Sequence, residues 1–97
     1  MNFAGYDLLQ GGKTKEAVAI FKLNSELFPN SFNAYDSYAD ALLALGDKEL
    51  AIINYKESVK LNPGSQNGLK RLKELGVNTD DLVKKYKVSL EELKLLE

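Results

Sequence analysis

The sequence predicts an all-α fold, an αα-superhelix of about two helix hairpins followed by a helical C-terminal cap. Matching residues recur thirty-four positions apart, and a fixed period of this length is typical of stacked helical repeats. Within each copy the apolar residues follow helical spacing, and glycine or proline separates one segment from the next. The matched pairs are Pro29 and Pro63, Ala17 and Ala51, Phe21 and Tyr55, and Leu8 and Leu42.

The first thirty residues contain the first predicted pair of helices. A helix over 2–10 is followed by the turn Gly11-Gly12, because glycine takes the left-handed conformation at little cost. Thr14 is expected to cap a second helix over 14–28. That helix ends before Pro29, since proline cannot continue it.

The second pair of helices is predicted over 31–45 and 48–61. Ser31, or Asn30 before it, can cap the first of these helices, and Gly46 ends it. The polar face of this helix is expected to carry Asn33, Asp36, Ser37 and Asp40. The second helix is bounded by the cap Asp47 and the break Asn62-Pro63-Gly64.

A partial third copy begins at Ser65 and ends at Gly76, with Leu69, Leu72 and Leu75 as its apolar edge. Beyond it, the segment Asn78-Thr79-Asp80-Asp81 is predicted to open a short helix that runs to about Tyr86. Ser89-Leu90-Glu91-Glu92 is a capping-box pattern and predicts a separate last helix. Residues 77–97 are expected to fold back over the last repeat, through Leu82, Val83, Leu90, Leu93 and Leu96.

The chain resembles the tetratricopeptide repeat (TPR) family over residues 1–76, with copies at 1–30, 31–64 and, in part, 65–76. The third copy has Lys73 where the family places a small residue, which is a departure from the pattern. Residues 77–97 lie outside the resemblance. The best copy reads Tyr35-x-x-Tyr38-Ala39-x-x-Leu42, Ala51-x-x-x-Tyr55 and Pro63, and the preceding copy reads Ala4-Gly5-x-x-Leu8, Ala17-x-x-x-Phe21 and Pro29.

A second resemblance concerns the parent protein. Met1 stands near the first bulky position of the family pattern, so the chain looks like an excised piece of a longer protein. Phe21-Lys22-Leu23-Asn24, with the stretch 29–37, is similar to repeat tails of some bacterial serine hydrolases of the β-lactamase and esterase type. Any catalytic machinery of such a parent is expected to lie elsewhere, since this segment has no Ser-x-x-Lys and no Gly-x-Ser-x-Gly motif.

Composition narrows the possible functions. The formal net charge is −1, so no strong field draws in nucleic acid or an anionic membrane. The chain has no cysteine and no histidine, which excludes disulfides and thiolate or imidazole metal sites. No apolar run has the length of a membrane span, and the first residues do not form a signal peptide. The default expectation is a cytoplasmic protein, or a periplasmic one if the parent carries a signal peptide.

Three short motifs could suggest chemistry, but each has a simpler interpretation. Gly11-Gly12-Lys13-Thr14 is similar to the end of a phosphate-binding loop, yet Asp7 stands where the motif requires glycine. Asp80-Asp81 and Glu91-Glu92 fall in first turns of predicted helices, where the helix dipole favours negative charge. The basic run of Lys84, Lys85 and Lys87 is isolated. We therefore expect no catalytic residue, no metal and no cofactor.

The TPR resemblance implies a groove, lined by the first helices of successive repeats, that binds a peptide or a partner protein. Asparagine could bond an extended backbone and Arg71 could grip a carboxylate, although these residues could also simply keep the helices soluble. Only Arg71 matches the family members that clamp acidic chaperone tails, and Asp36 and Asp40 would repel such a tail. The mapped groove residues are Tyr6, Gln10, Asn33, Asp36, Ser37, Asp40, Asn67, Lys70, Arg71 and Glu74.

The alternative to a binding module is a structural appendage, which pairs copies of its parent or packs on the parent's catalytic domain. Phe3, Ala4 and Leu8 would have no preceding repeat to cover them. Since a repeat array needs covered ends to stay soluble, a homodimer through this face is one expected remedy.

Overall fold

The structure, a computed structural model, describes residues 3–96, except for the side chains of residues 3–5, 7, 89, 90, 93, 94 and 96. The described chain is all-α, as predicted, and contains no strand. The helices are α1 (Phe3–Gln10), α2 (Thr14–Leu27), α3 (Phe32–Leu45), α4 (Lys48–Leu61), α5 (Gln66–Glu74) and α6 (Thr79–Leu96).

The first helix of each pair ends in the same glycine turn. At the end of α1, Gly12 donates its amide to the carbonyl of Leu9, and Lys13 donates to the carbonyl of Leu8. This is a Schellman motif, and it needs a positive φ angle at the glycine, which is 81° at Gly12. Gly46 after α3 and Gly76 after α5 make the equivalent bonds at φ angles of 96° and 87°.

The second helices α2 and α4 also end alike. The amide of Phe28 donates to the carbonyl of Asn24, and the amide of Ser31 donates to the carbonyl of Phe28. Thirty-four residues later, the amide of Asn62 bonds to Ser58 and that of Ser65 bonds to Asn62 in the same way. The period seen in the amino-acid sequence is therefore repeated in the backbone hydrogen bonds.

Of the caps predicted at Thr14, Ser31 and Asp47, the last two are confirmed and the first is wrong. The side chain of Ser31 accepts a bond from the amide of Ala34 at 3.4 Å, and Asp47 accepts one from Leu50 at 3.2 Å, so both are caps. Thr14 was wrongly predicted as a cap, because it is the first residue of α2 and Lys13 precedes it. Ser65 precedes α5 but makes no side-chain cap bond, since its hydroxyl donates to Asp36.

The core consists of two apolar clusters on either side of α3. The smaller cluster lies between α1, α2 and α3 around the fully buried ring of Phe21. The larger one holds Ala39, Ala51 and Tyr55, which are all completely buried, and joins α3, α4 and α5. Small residues at Ala39 and Ala51 allow α3 and α4 to pack closely, and the buried Leu72 closes this cluster from the side of α5.

A close backbone approach brings α5 against α4. A Cβ atom at Gly68 would lie 3.0 Å from Val59 Cγ2 and 3.2 Å from Asp36 Oδ1, so only glycine fits there without movement of its neighbours. This close approach at Gly68 packs α5 firmly against α3 and α4.

The C-terminal segment is one continuous helix, which corrects the prediction of a break before Ser89. No glycine or proline lies between 79 and 96, and the leucines, lysines and glutamates there favour helix. The capping-box pattern of 89–92 therefore falls inside α6. Asn78 precedes the helix, and its side chain accepts a bond from the amide of Asp80 at 3.1 Å.

Consecutive helices pack against each other along the chain, and α6 contacts both α4 and α5. Leu82 and Tyr86 of α6 pack against the larger cluster, whereas Val88 and Leu95 are exposed. The stack measures 45 × 29 × 18 Å, and its radius of gyration of 13.9 Å exceeds the value of about 12.5 Å expected for a compact chain of this length. The helices therefore form an elongated array.

Candidate functional site

The candidate site is the surface formed by α1, α3 and α5, the first helix of each pair. Tyr6, Asp40 and Glu74 lie thirty-four residues apart and occupy equivalent positions on these helices. Polar contacts between side chains join the three helices across this surface. We call it the first-helix face, and it comprises Tyr6, Gln10, Asn33, Ser37, Asp40, Asn67, Lys70, Arg71 and Glu74.

Tyr6 connects α1 to α3. Its phenol oxygen shares a 3.0 Å hydrogen bond with Ser37 Oγ and donates to Asp40 Oδ2 at 3.4 Å. The other end of the ring packs edge-on against Phe21, with centroids 4.9 Å apart. Burial, together with the negative charge of Asp40, raises the pKa of Tyr6, so its hydroxyl keeps its proton and remains a donor.

Tyr55 of α4 supports Asp40 from below the face. Its ring is fully buried, and its hydroxyl donates to Asp40 Oδ1. Burial raises the pKa of Tyr55, and so does the hydrogen bond to Asp40. The sequence motif identifies Tyr55 only as the aromatic position of the second repeat. The sequence signal for its hydrogen bond to Asp40 is that this position holds a tyrosine, whereas the equivalent position of the preceding copy holds Phe21.

Arg71 extends the network to α5. Its Nε lies 4.0 Å from Asp40 Oδ1, and one of its terminal nitrogens donates to Glu74 Oε2 at 3.3 Å. The guanidinium is thus already flanked by two carboxylates of the same chain. The side chain is 40% exposed, and such ion pairs contribute about 0–1 kcal/mol, so the contacts orient Arg71 more than they stabilise the fold.

The prediction that Asp36 lies on the polar face and lines the groove is wrong, because its side chain is buried. The hydroxyl of Ser65 donates to its Oδ2 at 3.2 Å, while Oδ1 faces the Cα of Gly68. Burial raises the pKa of the Asp36 carboxyl, and the nearby hydroxyls of Ser58 and Ser65 offset this only in part. Asp36 therefore joins α3 to the start of α5 and is a packing residue.

The raised pKa of Asp36 predicts how stability depends on pH. The folded chain holds this proton more tightly than the unfolded chain, whose aspartate has a pKa of about 3.9. The contribution of the protonated Asp36 carboxyl to the free energy of unfolding is complete below a pH of about 3.9, and it is lost as the pH rises through the folded-state pKa. As the pH rises from about 3.9 towards neutrality, the wild type loses this contribution and Asp36→Asn does not. We therefore expect the free energy of unfolding of Asp36→Asn to increase relative to that of the wild type.

Urea denaturation of both proteins across this pH range measures the difference. Asp47→Asn is the matched control, because Asp47 is an exposed cap and asparagine caps equally well. A difference between Asp36→Asn and wild type that stays constant with pH would show that the Asp36 carboxyl titrates alike in the folded and unfolded chains.

A cavity of about 540 Å³ opens at one end of the first-helix face. It lies between α1, the end of α2 and the start of α3. Tyr6, Asn33 and Ser37, which the TPR resemblance assigns to a groove, are among its lining residues. The other lining residues were not among the predicted groove residues, and they are Asn24, Phe28, Ser31 and Ala34. The only sequence signal for them is Phe28, a large apolar residue just before the proline break.

Apart from Asp36, the predicted groove residues are at least partly exposed. Gln10, Asn33, Asn67, Lys70 and Glu74 are exposed, whereas Ser37, Asp40 and Arg71 are half-buried. Lys70 and Glu74 also border a shallow second cavity of about 440 Å³ on α5, together with Gln66, Leu69 and Lys73.

The simpler interpretations are confirmed for Gly11-Gly12-Lys13-Thr14 and Asp80-Asp81, and the one for Glu91-Glu92 is wrong. Gly11-Gly12-Lys13-Thr14 forms the turn between α1 and α2. Asp80 and Asp81 lie in the first turn of α6, while Glu91 and Glu92 lie further along that helix and not at a helix start. Among the side chains that the structure describes, no group of three or more acidic ones is placed to hold a metal ion.

Two further observations bear on partners. Leu8 is half-buried against the Phe21 cluster, so it is partly covered by its own chain, while the side chains of Phe3 and Ala4 lie outside the described residues. Self-association stays a prediction. None of the helices described is both long enough and apolar enough to cross a membrane.

No protein-family model matches this chain, and no curated protein or solved structure is significantly similar to it.

Proposed function

We propose that this chain is a protein-interaction module of the tetratricopeptide-repeat type, which binds a segment of a partner protein along the first-helix face. The observation that carries the proposal is the polar network that runs from Tyr6 through Asp40 to Arg71. It fixes side chains of three helices in one surface before any partner arrives. A surface that is already ordered loses less conformational entropy on binding.

Exposed carboxamides supply the contacts that such a partner needs. Asn33 on α3 and Asn67 on α5 occupy equivalent positions thirty-four residues apart, and both are exposed. A carboxamide has donors and an acceptor, so it can bond to the amide and the carbonyl of an extended peptide. Two of them on neighbouring first helices could hold such a peptide at two points.

The charges on the face argue against a strongly acidic partner. Arg71 is flanked by Asp40 and Glu74, so its positive charge is largely balanced within the chain. Asp40 and Glu74 would repel an added carboxylate. Only Lys70 adds an exposed positive charge on this face. We therefore propose a partner segment without a run of acidic residues.

Selection from a random-peptide phage library on the folded chain tests this proposal. Selected peptides are expected to bind the double variant Asn33→Ala/Asn67→Ala about tenfold more weakly than wild type, which corresponds to a loss of about 1.4 kcal/mol. Isothermal titration calorimetry with the synthetic peptides measures the affinities.

The control is the double variant Lys22→Ala/Lys60→Ala, which changes two exposed residues on second helices and should bind as wild type does. Thermal melts must first show that both variants remain folded. If the library gives no binder, or if the selected peptides bind both double variants equally well, the first-helix face is not the binding surface.

A further inference from the structure

None of the lining residues that the structure describes for the cavity at the end of the first-helix face is charged. Its walls include the aromatic rings of Tyr6 and Phe28, and the small buried residue Ala34 adjoins them. Carboxamides of Asn24 and Asn33 lie on the same lining. This combination of apolar walls with a few polar groups is typical of sites that hold a ligand in a fixed orientation.

The lining determines which side chains can enter. A charged side chain would find no opposite charge on the cavity wall, and burial of an unpaired charge is costly. An anion would also meet the field of Asp40, which is hydrogen-bonded to the Tyr6 hydroxyl, whereas a cation gains little from Asp40 because Tyr55 and Arg71 already contact that carboxylate. An uncharged apolar side chain has neither cost, and it removes the exposed ring of Phe28 from water.

The size and the position of the cavity suit one bulky side chain together with the peptide groups that flank it, in a chain that continues outside the cavity. A volume of about 540 Å³ is too small for a helix or a domain, and it is within the range of sites for small ligands. Asn33 is exposed at the opening and Asn24 is half-buried, so their carboxamides can meet the peptide groups on either side of an inserted residue. Leu27, exposed beside Phe28, extends the apolar surface beyond the cavity.

We propose that this cavity anchors the partner segment by taking one bulky, uncharged apolar side chain of an extended peptide, whose flanking amide groups bond to Asn24 and Asn33. The inference rests on the proposed function, and it adds the chemical class of the anchoring residue. It also implies that the end of α2 contacts the partner, whereas the proposed function involves only the first helices.

The test uses end-blocked pentapeptides with a central phenylalanine, leucine, lysine or glutamate between glycine and serine residues. Nitrogen-15 NMR of the full chain follows the side-chain amide signals of Asn24, Asn33 and Asn67 during titration. The phenylalanine and leucine peptides are expected to shift the signals of Asn24 and Asn33 saturably. The lysine and glutamate peptides should leave them unchanged at the same concentrations.

A pair of matched variants locates the contact. Phe28→Ala is expected to weaken the binding of the phenylalanine peptide about fivefold or more, as removal of an aromatic anchor does. Ile53→Ala is the control, because Ile53 on α4 is as exposed as Phe28, at 57%, and lies outside the cavity. Its affinity for the peptide should equal that of the wild type.

Several outcomes would overturn the proposal. They are the absence of any shift at Asn24 and Asn33, equal shifts with the lysine peptide, and unchanged affinity in Phe28→Ala. Benzyl alcohol tests a small-molecule site, and binding as tight as that of the phenylalanine peptide would show that the peptide groups contribute nothing. Shifts confined to Asn67 would remove the cavity as the anchor and leave the proposed function in place, whereas the library selection can fail independently of this titration.

Discussion

Ala39→Arg is expected to lower the free energy of unfolding by about 3–5 kcal/mol, the usual cost of a buried charge without a partner. Ala39 has no exposed surface and lies in the larger cluster with Ala51, Tyr55 and Leu72. An arginine there must either separate α3 from α4 or leave its charge in an apolar interior. Since small domains have only about 5–15 kcal/mol of stability, we expect a large drop in melting temperature.

Circular dichroism melts of Ala39→Arg and of Ala44→Arg measure this effect. Ala44 lies on the same helix but is exposed, so an arginine there should change stability by no more than about 0.5 kcal/mol. Ala39 is not a packing position if both variants melt within a degree or two of the wild type.

Phe21→Ala is expected to cost about 3–5 kcal/mol, as truncations of a buried phenylalanine do. The ring is completely buried, and it holds together the smaller cluster between α1, α2 and α3. It also supports the ring of Tyr6, whose centroid is 4.9 Å away. Loss of the ring should therefore weaken the attachment of α1 before that of α4, and with it the contact between Tyr6 and Asp40.

Urea denaturation gives the change in stability, and hydrogen exchange shows where it acts. Amides of α1 and α2 should lose protection more than those of α4. Phe28→Ala is the control, because that ring is 57% exposed and its removal should cost less than about 1 kcal/mol. Equal losses in the two variants would contradict the assignment of Phe21 to the core.

The fold could be predicted mainly because the helix boundaries are set by residues close together in the sequence. Gly46 ends α3 in the left-handed conformation and Asp47 caps α4, and each signal needs only its neighbours in the sequence. The same locality misled the prediction at Ser89. There a capping-box pattern sits in a stretch with strong helix propensity and no helix breaker, and α6 continues through it.

The candidate site could be predicted only in part, because its details depend on contacts between distant segments. Helical spacing put Ser37 and Asp40 on one face of α3, and the TPR resemblance implied that Tyr6 lines the same groove; the structure brings the three side chains together. The burial of Asp36 depends on how closely α5 approaches at Gly68, which no pattern within α3 could show. The cavity likewise combines residues of three helices and a turn, so it appears only when the helices are packed.

The network on the first-helix face also limits how alike the repeats can become. Tyr6, Asp40 and Glu74 are equivalent positions, yet they hold a phenol and two carboxylates, with Arg71 contacting both carboxylates. Three identical copies would place side by side either three carboxylates, which lack a donor and repel one another, or three phenols without a carboxylate to accept from them. Interior pairs such as Ala17 and Ala51 carry no such restriction. A chain rebuilt from copies of its second repeat would thus keep a good core but lose the ordered polar surface. The order of this surface therefore depends on the differences between the repeats.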